Sequence, residues 1–409
     1  MRGQSPPILA TAPQAVPQLR PGPWLRLTAL AAVAGCLAAV VSGALQLDAA
    51  HRVLAALALP PLCALVAAAW VAHRRLLAPS VTALVLFLAA ALVTPRPAHL
   101  ALAGLALAAA LAAVVGCFRG APVPRASVRD YVTLTKPRIM TLLLLTGAAG
   151  MFVGAQGWPG TETFVVGMVG LALACGGASA LNHVLDRDID RLMPRTGQRP
   201  VAGERVAPAR ALEFGLALMA FSFVLLASLV NVLTAMLALV GGLFYVLVYT
   251  RWLKRTTPQN IVIGGAAGAV PPLVGWAAAT GNLTLPALFL FLIVFFWTPP
   301  HFWALALLIK RDYEAARIPM LPVVRGDRET ARQILLYSAV LFAVTLLPFG
   351  YRTAGVLYLA AAVLLGAAFL WLAWRLRQET TPTRARVLFH FSLVYLAVLF
   401  VAMAIDPLL

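Results

Sequence analysis

Uninterrupted apolar runs of about twenty residues recur along this chain, and that length is what an α-helix needs to cross a bilayer. In hydrocarbon no water satisfies the peptide N–H and C=O groups, so a crossing segment must bond its own backbone or close into a barrel. Barrel strands alternate apolar and polar residues over about ten positions, whereas these runs are apolar throughout. Thirteen spans are expected, at 27–46, 53–72, 80–95, 98–117, 139–157, 163–182, 211–230, 233–250, 259–279, 286–308, 334–350, 354–374 and 387–405. Only 11% of the 409 residues are charged, against about 25% in a soluble domain. The fold class is therefore an all-α polytopic membrane protein.

The net charge of +18 raises the question of nucleic acid, and its placement answers it. With the N-terminus cytoplasmic, all of the 32 Lys and Arg residues except Arg52, Arg96 and Arg352 fall on the cytoplasmic side. That is the positive-inside distribution, so topology explains the charge and no nucleic-acid partner is expected. Cys36, Cys63, Cys117 and Cys175 stand singly within apolar runs and read as small hydrophobes, with neither a disulfide framework nor a zinc site. Residues 1–26 are Pro-rich, lack signal-peptide order, and read as a disordered cytoplasmic tail.

The first four spans are Ala/Leu-rich and almost free of polar residues, and a basic, Pro-containing linker follows at 119–129. This divides the chain into a four-helix membrane region of unknown role, 27–125, and a second unit, 126–409. His51, His73 and His99 lie near span ends, where histidines usually snorkel or cap. The nine later spans carry every polar signature. Their long loops (182–210, 251–258 and 309–333) share the cytoplasmic side, while the opposite turns are short.

Function is expected on that face. Asn182, Asp186 and Asp190 stand four apart, so on a continuing helix they project from one side. Carboxylates this close need a counter-charge, either Arg187, Arg191 and Arg195 across a solvated turn or a divalent cation. Oxygen ligands suit Mg²⁺, which binds one or two carboxylates plus substrate phosphates. Lys136 and Arg138 flank Pro137 at a helix start, a place that favours anions. Arg195, Arg199, Lys254 and Arg255 add positive charge, and Asn260 opens a glycine-rich span whose Gly264, Gly265 and Gly268 read as packing residues. Pro299–Pro300 is expected to break or kink a span in mid-membrane, with His301 next to it at membrane depth. Lys310, Asp312 and Tyr313 follow that span. Carboxylates for Mg²⁺, cations for a diphosphate and an apolar chamber open to lipid are together what an integral-membrane prenyltransferase needs. The leaving diphosphate must be stabilised, and the allylic cation must be kept from water.

The stretches TKPR (135–138), NHVLDRDIDRLMPRTGQRP (182–200), YTRWLKRTTPQNIVIGGAAGAVPP (249–272), FFWTPPHFWALAL (295–307) and KRDYEAARIPMLPVVRG (310–326) resemble the UbiA-type prenyltransferase superfamily, in its heme O synthase branch. The resemblance covers about residues 131–405 and leaves the first four spans aside. It implies a nine-helix bundle that transfers farnesyl from farnesyl diphosphate to the 2-vinyl group of heme b in a bacterial plasma membrane, with Mg²⁺ as cofactor. It also implies Asp186, Asp190, Lys136 and Arg199 as catalytic residues, with Asn182, Asp186 and Asp190 on the metal. Asn182, Arg138, Arg195, Lys254, Arg255, Asn260, His301, Lys310, Asp312 and Tyr313 would bind substrates. Heme A synthase or the terminal-oxidase assembly machinery are the further partners implied. Two positions depart from the wider superfamily: His183 stands where many relatives carry Asp, and Ala316 replaces the last carboxylate of a second acidic motif. A UbiA-type enzyme acting on an aromatic quinone precursor is the nearest alternative, and a heme-binding scaffold or transporter is the alternative from another class.

Overall fold

The structure, a computed structural model, describes residues 23–44, 48–72, 76–92, 96–117 and 126–408. Most of the expected tail, 1–22, and the stretch 118–125 of the expected linker lie outside the described residues, as do His73 and the turns at 45–47 and 93–95. The long helices are α1 (Pro23–Ala44), α2 (Asp48–Ala72), α3 (Leu77–Leu92), α4 (Arg96–Cys117), α5 (Pro137–Ala155), α6 (Thr161–Leu185), α7 (Pro208–Leu229), α8 (Val232–Thr256), α9 (Asn260–Thr280), α10 (Leu285–Leu308), α11 (Gly326–Gly350), α12 (Val356–Gln378) and α13 (Pro382–Ile405). They coincide with the expected spans to within a few residues, except that α11 starts well before position 334. Among the described residues, α5–α13 are the nine helices long and apolar enough to cross a membrane. The chain is an integral, multi-pass membrane protein. In the N-terminal helices the apolar stretches are shorter: Trp24–Val40, Leu54–Ala69, Leu77–Ala90 and Leu102–Val114.

Helix starts follow local chemistry. Pro137, Pro208 and Pro382 occupy first-turn positions, where the missing N–H costs nothing. The Asn231 side chain caps α8 at the Thr234 N–H and donates to the Ala277 carbonyl of α9, both at 2.8 Å. Ahead of the bundle, Ser127 and Asp130 form a capping box on the short helix Val128–Leu134.

α5–α9 form one half of the bundle and α9–α13 the other, with α5 also against α13. In the half of the membrane away from the basic loops, α5 and α9 meet backbone to backbone. A Cβ at Gly150 would strike the Pro272 carbonyl, and one at Gly275 would strike that of Gly147. Only glycine permits this approach, and it closes that end of the bundle. Toward the basic end the helices diverge around a cavity of about 520 Å³. The N-terminal helices have a core of their own and dock through α4 and α1 on α7, where Gly104 lies against Val224. His51 Nδ1 meets the Ala39 carbonyl (2.9 Å) and His99 Nδ1 the Ala90 carbonyl (2.6 Å), so each ties two neighbouring helices together.

Two expectations need correction. The stretch 251–258 is mostly helix: α8 runs on as a π-helix, Phe244–Leu253, and ends at Thr256. Pro299 and Pro300 do not break α10, which continues through both. Both prolines are buried, and the packing of α10 on α9, α11 and α13 offsets the backbone bonds they cannot make.

Candidate active site

α6 ends at Leu185, and Asp186 leaves helical geometry (φ −90°, ψ 1°) before the single turn Arg187–Asp190. Backbone bonds from Asp186 N to Asn182 O (2.9 Å) and from Asp190 N to Asp186 O (2.8 Å) carry the four-residue spacing across the irregular residue. Asn182, Asp186 and Asp190 are all buried at the basic end of the bundle.

Each is held by charge from another element. Lys136 Nζ donates to Asn182 Oδ1 at 2.7 Å, and Asn182 Nδ2 donates to Asp186 Oδ2 at 2.8 Å and Thr250 Oγ1 at 3.0 Å. Lys254 Nζ lies 2.6 Å from Asp186 Oδ2. Arg199 Nη1 donates to both oxygens of Asp190 at 2.8 Å, and the Thr196 hydroxyl anchors the Asp190 carbonyl at 2.9 Å. Lys136 has a left-handed backbone (φ 52°) directly before Pro137, a strained conformation that aims its ammonium inward. Burial, then the neighbouring charges of Arg199 and Lys254, push Lys136 down to about 7, against a weaker upward pull from Asp186 and Asp190.

The π-helix sets the far side of this cluster. Its wide turn lets Thr250 Oγ1 bond the Tyr245 carbonyl five residues back (2.9 Å), and it delivers Thr250 and Lys254 together to Asn182 and Asp186. Tyr245 and Tyr249, stacked at 5.6 Å, line the chamber just below. Thr250, Tyr245 and Tyr249 were not among the expected site residues. Thr250 stands four before Lys254, a spacing that could have marked it, but nothing in the residue types announces a π-helix.

The other expected residues divide. Arg138 lines the chamber mouth. Arg195 comes to 3.8 Å from Asp312, joining the 186–207 loop to the short helix Lys310–Ala315, where Tyr313 is buried. Arg255 grips Asp188 with two bonds (2.6 and 2.7 Å) and the Leu185 carbonyl, and stands 3.9 Å from Asp186 Oδ1. Arg255 and hydrogen bonding hold the Asp188 carboxyl down at about 2. Lys310 pairs with Asp327 (2.8 Å), and Asn260 donates to the Thr257 carbonyl (2.6 Å) while its buried Oδ1 has no hydrogen-bond partner among the described residues. His183 is buried, with no hydrogen-bond partner at either ring nitrogen among the described residues.

The carboxylates fit a divalent cation on one specific ground. Asp186 Oδ1 is buried and lacks a hydrogen-bond partner among the described residues, a costly state for a carboxylate oxygen. No group of three His, Cys, Asp or Glu side chains suited to a metal occurs among the described residues. A cation here would therefore complete its shell with phosphate oxygens, as Mg²⁺ usually does.

Below the charges the chamber is apolar. Leu143 and Thr146 (α5), Ala174 and Cys175 (α6), Ala238 and Gly242 (α8), and Val270 and Val274 (α9) line a side that is largely enclosed. The other side, between α5, α9, α10 and α13, opens past Ile139 and Leu393, both exposed on the bundle surface. Gly264 and Gly265 pack against Tyr249 and Thr298 as expected, whereas Gly268 faces open space in the chamber. His301 lies between Trp297 (ring centroids 4.2 Å apart) and Phe389 (5.0 Å). The Ser392 hydroxyl donates to the Phe389 carbonyl at 2.6 Å, so its contact of 2.6 Å with His301 Nδ1 is one in which the ring N–H donates. This tautomer leaves the Nε2 lone pair available.

A polar vestibule with paired carboxylates and a basic rim, set over an apolar chamber open to lipid, defines a membrane transferase for substrates with an anionic head and a hydrocarbon tail. Residues 143–399 match the model of the UbiA prenyltransferase family, and the chain belongs to that family. It is 56% identical over 281 residues to a protoheme IX farnesyltransferase of Symbiobacterium thermophilum, covering 68% of this chain and 94% of that protein. Among solved structures it superposes on a digeranylgeranylglyceryl phosphate synthase with a TM-score of 0.58 and 17% identity, over 68% of this chain and 98% of that one. It also superposes on a UbiA homolog from Archaeoglobus fulgidus bound to DMAPP and Mg²⁺, with a TM-score of 0.51, 17% identity and coverage of 68% and 99%. The chain is a prenyltransferase.

Proposed function

We propose that this enzyme transfers the farnesyl group of farnesyl diphosphate to the 2-vinyl group of heme b, giving heme O. The observation that carries the reading is the Lys136–Asn182–Asp186–Lys254 cluster set over a chamber that holds His301 on its lipid-open side. The allylic C–O bond breaks and diphosphate leaves. The terminal vinyl carbon bonds to the farnesyl carbon, and water adds at the other vinyl carbon and loses a proton, which the released diphosphate can take, to leave the hydroxyethyl group. The relative from Symbiobacterium thermophilum supports this choice of substrates by its name, and the Archaeoglobus fulgidus homolog supports use of an allylic diphosphate with Mg²⁺.

Asp186, Asp190 and Asn182 are the residues that would hold Mg²⁺, which when bound neutralises the departing diphosphate. Lys136, Arg199 and Lys254 surround the same point and stabilise the diphosphate as its charge develops. Arg138 and Arg195 extend that field over the mouth. Tyr245 and Tyr249 cover the reacting carbon from the side and exclude water, which protects an allylic cation until the acceptor attacks. The porphyrin enters from lipid between α5 and α13, where His301 Nε2 would be free to coordinate the substrate's iron. Trp297 and Phe389 fix the imidazole plane, and Ser392 fixes its tautomer. The basic end is the cytoplasmic face of a bacterial plasma membrane. Residues 126–409 form the catalytic unit, and α1–α4 are an appended membrane unit.

The test is direct. Membranes containing the full chain are incubated with heme b, farnesyl diphosphate and Mg²⁺, and the hemes are extracted for mass analysis. Farnesylated hydroxyethyl heme is the expected product, and unchanged heme b in active-expressing membranes would refute the assignment.

A further inference from the structure

The chamber ends at one level on four helices. Its lining stops at Thr146 on α5, Leu171 on α6, Ala238 on α8 and Val274 on α9. Beyond that level Met151 is fully buried against Gly167, and the α5–α9 backbones touch at Gly150–Pro272 and Gly147–Gly275. Leu171 is the largest side chain at the boundary, and it rests on the bare backbone of Gly147. Behind it, Leu226 packs into the notch of Gly170, and the same apolar cluster continues through Phe223 and Val224 to Val40, Ala90 and Ala103 of the N-terminal helices. The space behind Leu171, away from the chamber, is therefore taken up by packed side chains.

We propose that Leu171, seated on Gly147, is the floor that sets the length of prenyl chain this enzyme accepts. The inference rests on the reading that the diphosphate sits at the Asn182–Asp186 end. From Asn182 to Leu171 α6 rises roughly 16 Å, comparable to an extended tail of three isoprene units. With the porphyrin filling the lipid-facing opening, a fourth unit running on along α6 meets Leu171. Cys175, one turn nearer the charges, marks the level at which a shorter tail would end.

The experiment offers the full chain an equimolar mixture of geranyl, farnesyl and geranylgeranyl diphosphates with heme b, and the prenylated hemes are counted by mass. Wild type should give mainly the farnesyl product. Leu171→Ala should raise the ratio of geranylgeranyl to farnesyl product by about tenfold or more, and Cys175→Phe should shift product toward geranyl by a similar factor. Either shift supports the floor, so misfolding of one variant does not decide the matter. Transfer with wild-type ratios in both variants overturns the floor and leaves the parent reading standing. Wild-type protein that transfers no prenyl group overturns the parent reading and the floor with it.

Discussion

Lys254 Nζ lies 2.6 Å from Asp186 Oδ2, while Oδ1 of the same carboxylate is buried without a hydrogen-bond partner among the described residues. One oxygen is paired with Lys254, and the other faces the Arg255 guanidinium, at 3.9 Å. Breaking a buried pair by removing one partner strands the other charge, at about 3–5 kcal/mol. Asp186→Ala should therefore lower kcat by about 10²- to 10³-fold and also lower the melting temperature in detergent. Asp186→Ala with Lys254→Met should recover the melting temperature and not the activity. Recovery of activity in the double variant would show that the pair serves the fold alone.

Arg199 meets Asp190 through one nitrogen placed between both carboxylate oxygens, and Lys254 and Lys136 stand around the same pocket. Arg199→Ala should raise KM for farnesyl diphosphate about tenfold or more while KM for heme b stays near wild type. Equal changes in both constants would mean that Arg199 holds the loop and not the substrate.

Lys136 carries a pH dependence whose sign is fixed by its depressed value of about 7. Between about 7 and the usual 10.5, the folded protein without substrate binds fewer protons at this site than the unfolded chain, so this group makes stability rise with pH across that window. Diphosphate adds negative charge beside it and restores the proton, so binding takes up a proton there. Affinity for farnesyl diphosphate should fall as pH rises above about 7, by at most about tenfold per unit. Titration calorimetry in two buffers of different ionisation enthalpy measures the uptake. Lys136→Arg should abolish it, since a guanidinium stays charged.

His301→Ala should raise KM for heme b and alter the Soret band of the bound substrate, leaving KM for farnesyl diphosphate unchanged. Ser392→Ala should give a weaker version of the same spectrum, because the ring keeps its stacking on Trp297 and Phe389 but loses the partner of Nδ1. Spectra identical to wild type in both would assign the heme to other groups.

A chain beginning at Ala126 should retain farnesyl transfer. The contact of α4 and α1 with α7 is apolar, and its loss exchanges protein neighbours for lipid tails, which are equally apolar. Inserted but inactive protein would show that the N-terminal helices support catalysis.

The positions of the long helices were legible in the sequence because burial in lipid demands apolar character at every residue, whichever helix lies next door. The Asn182–Asp186–Asp190 cluster was legible for a related reason. Three such groups at one end of an apolar run cannot stay there without a ligand or a counter-charge, and the four-residue spacing is local. Tertiary structure decided which counter-charge each group meets. Lys254 lies 68 residues from Asp186 and Ser392 lies 91 from His301, and their meetings depend on how helices cross. Tertiary structure also decided that Thr250 and Lys254 arrive together, because a π-helix costs hydrogen-bond geometry that only neighbouring contacts can offset. The chamber's depth belongs to the same class. Gly147, Gly150 and Gly275 read alike in an apolar run, and only the packed bundle shows that they bring α5 and α9 together beneath Leu171 and so close the floor.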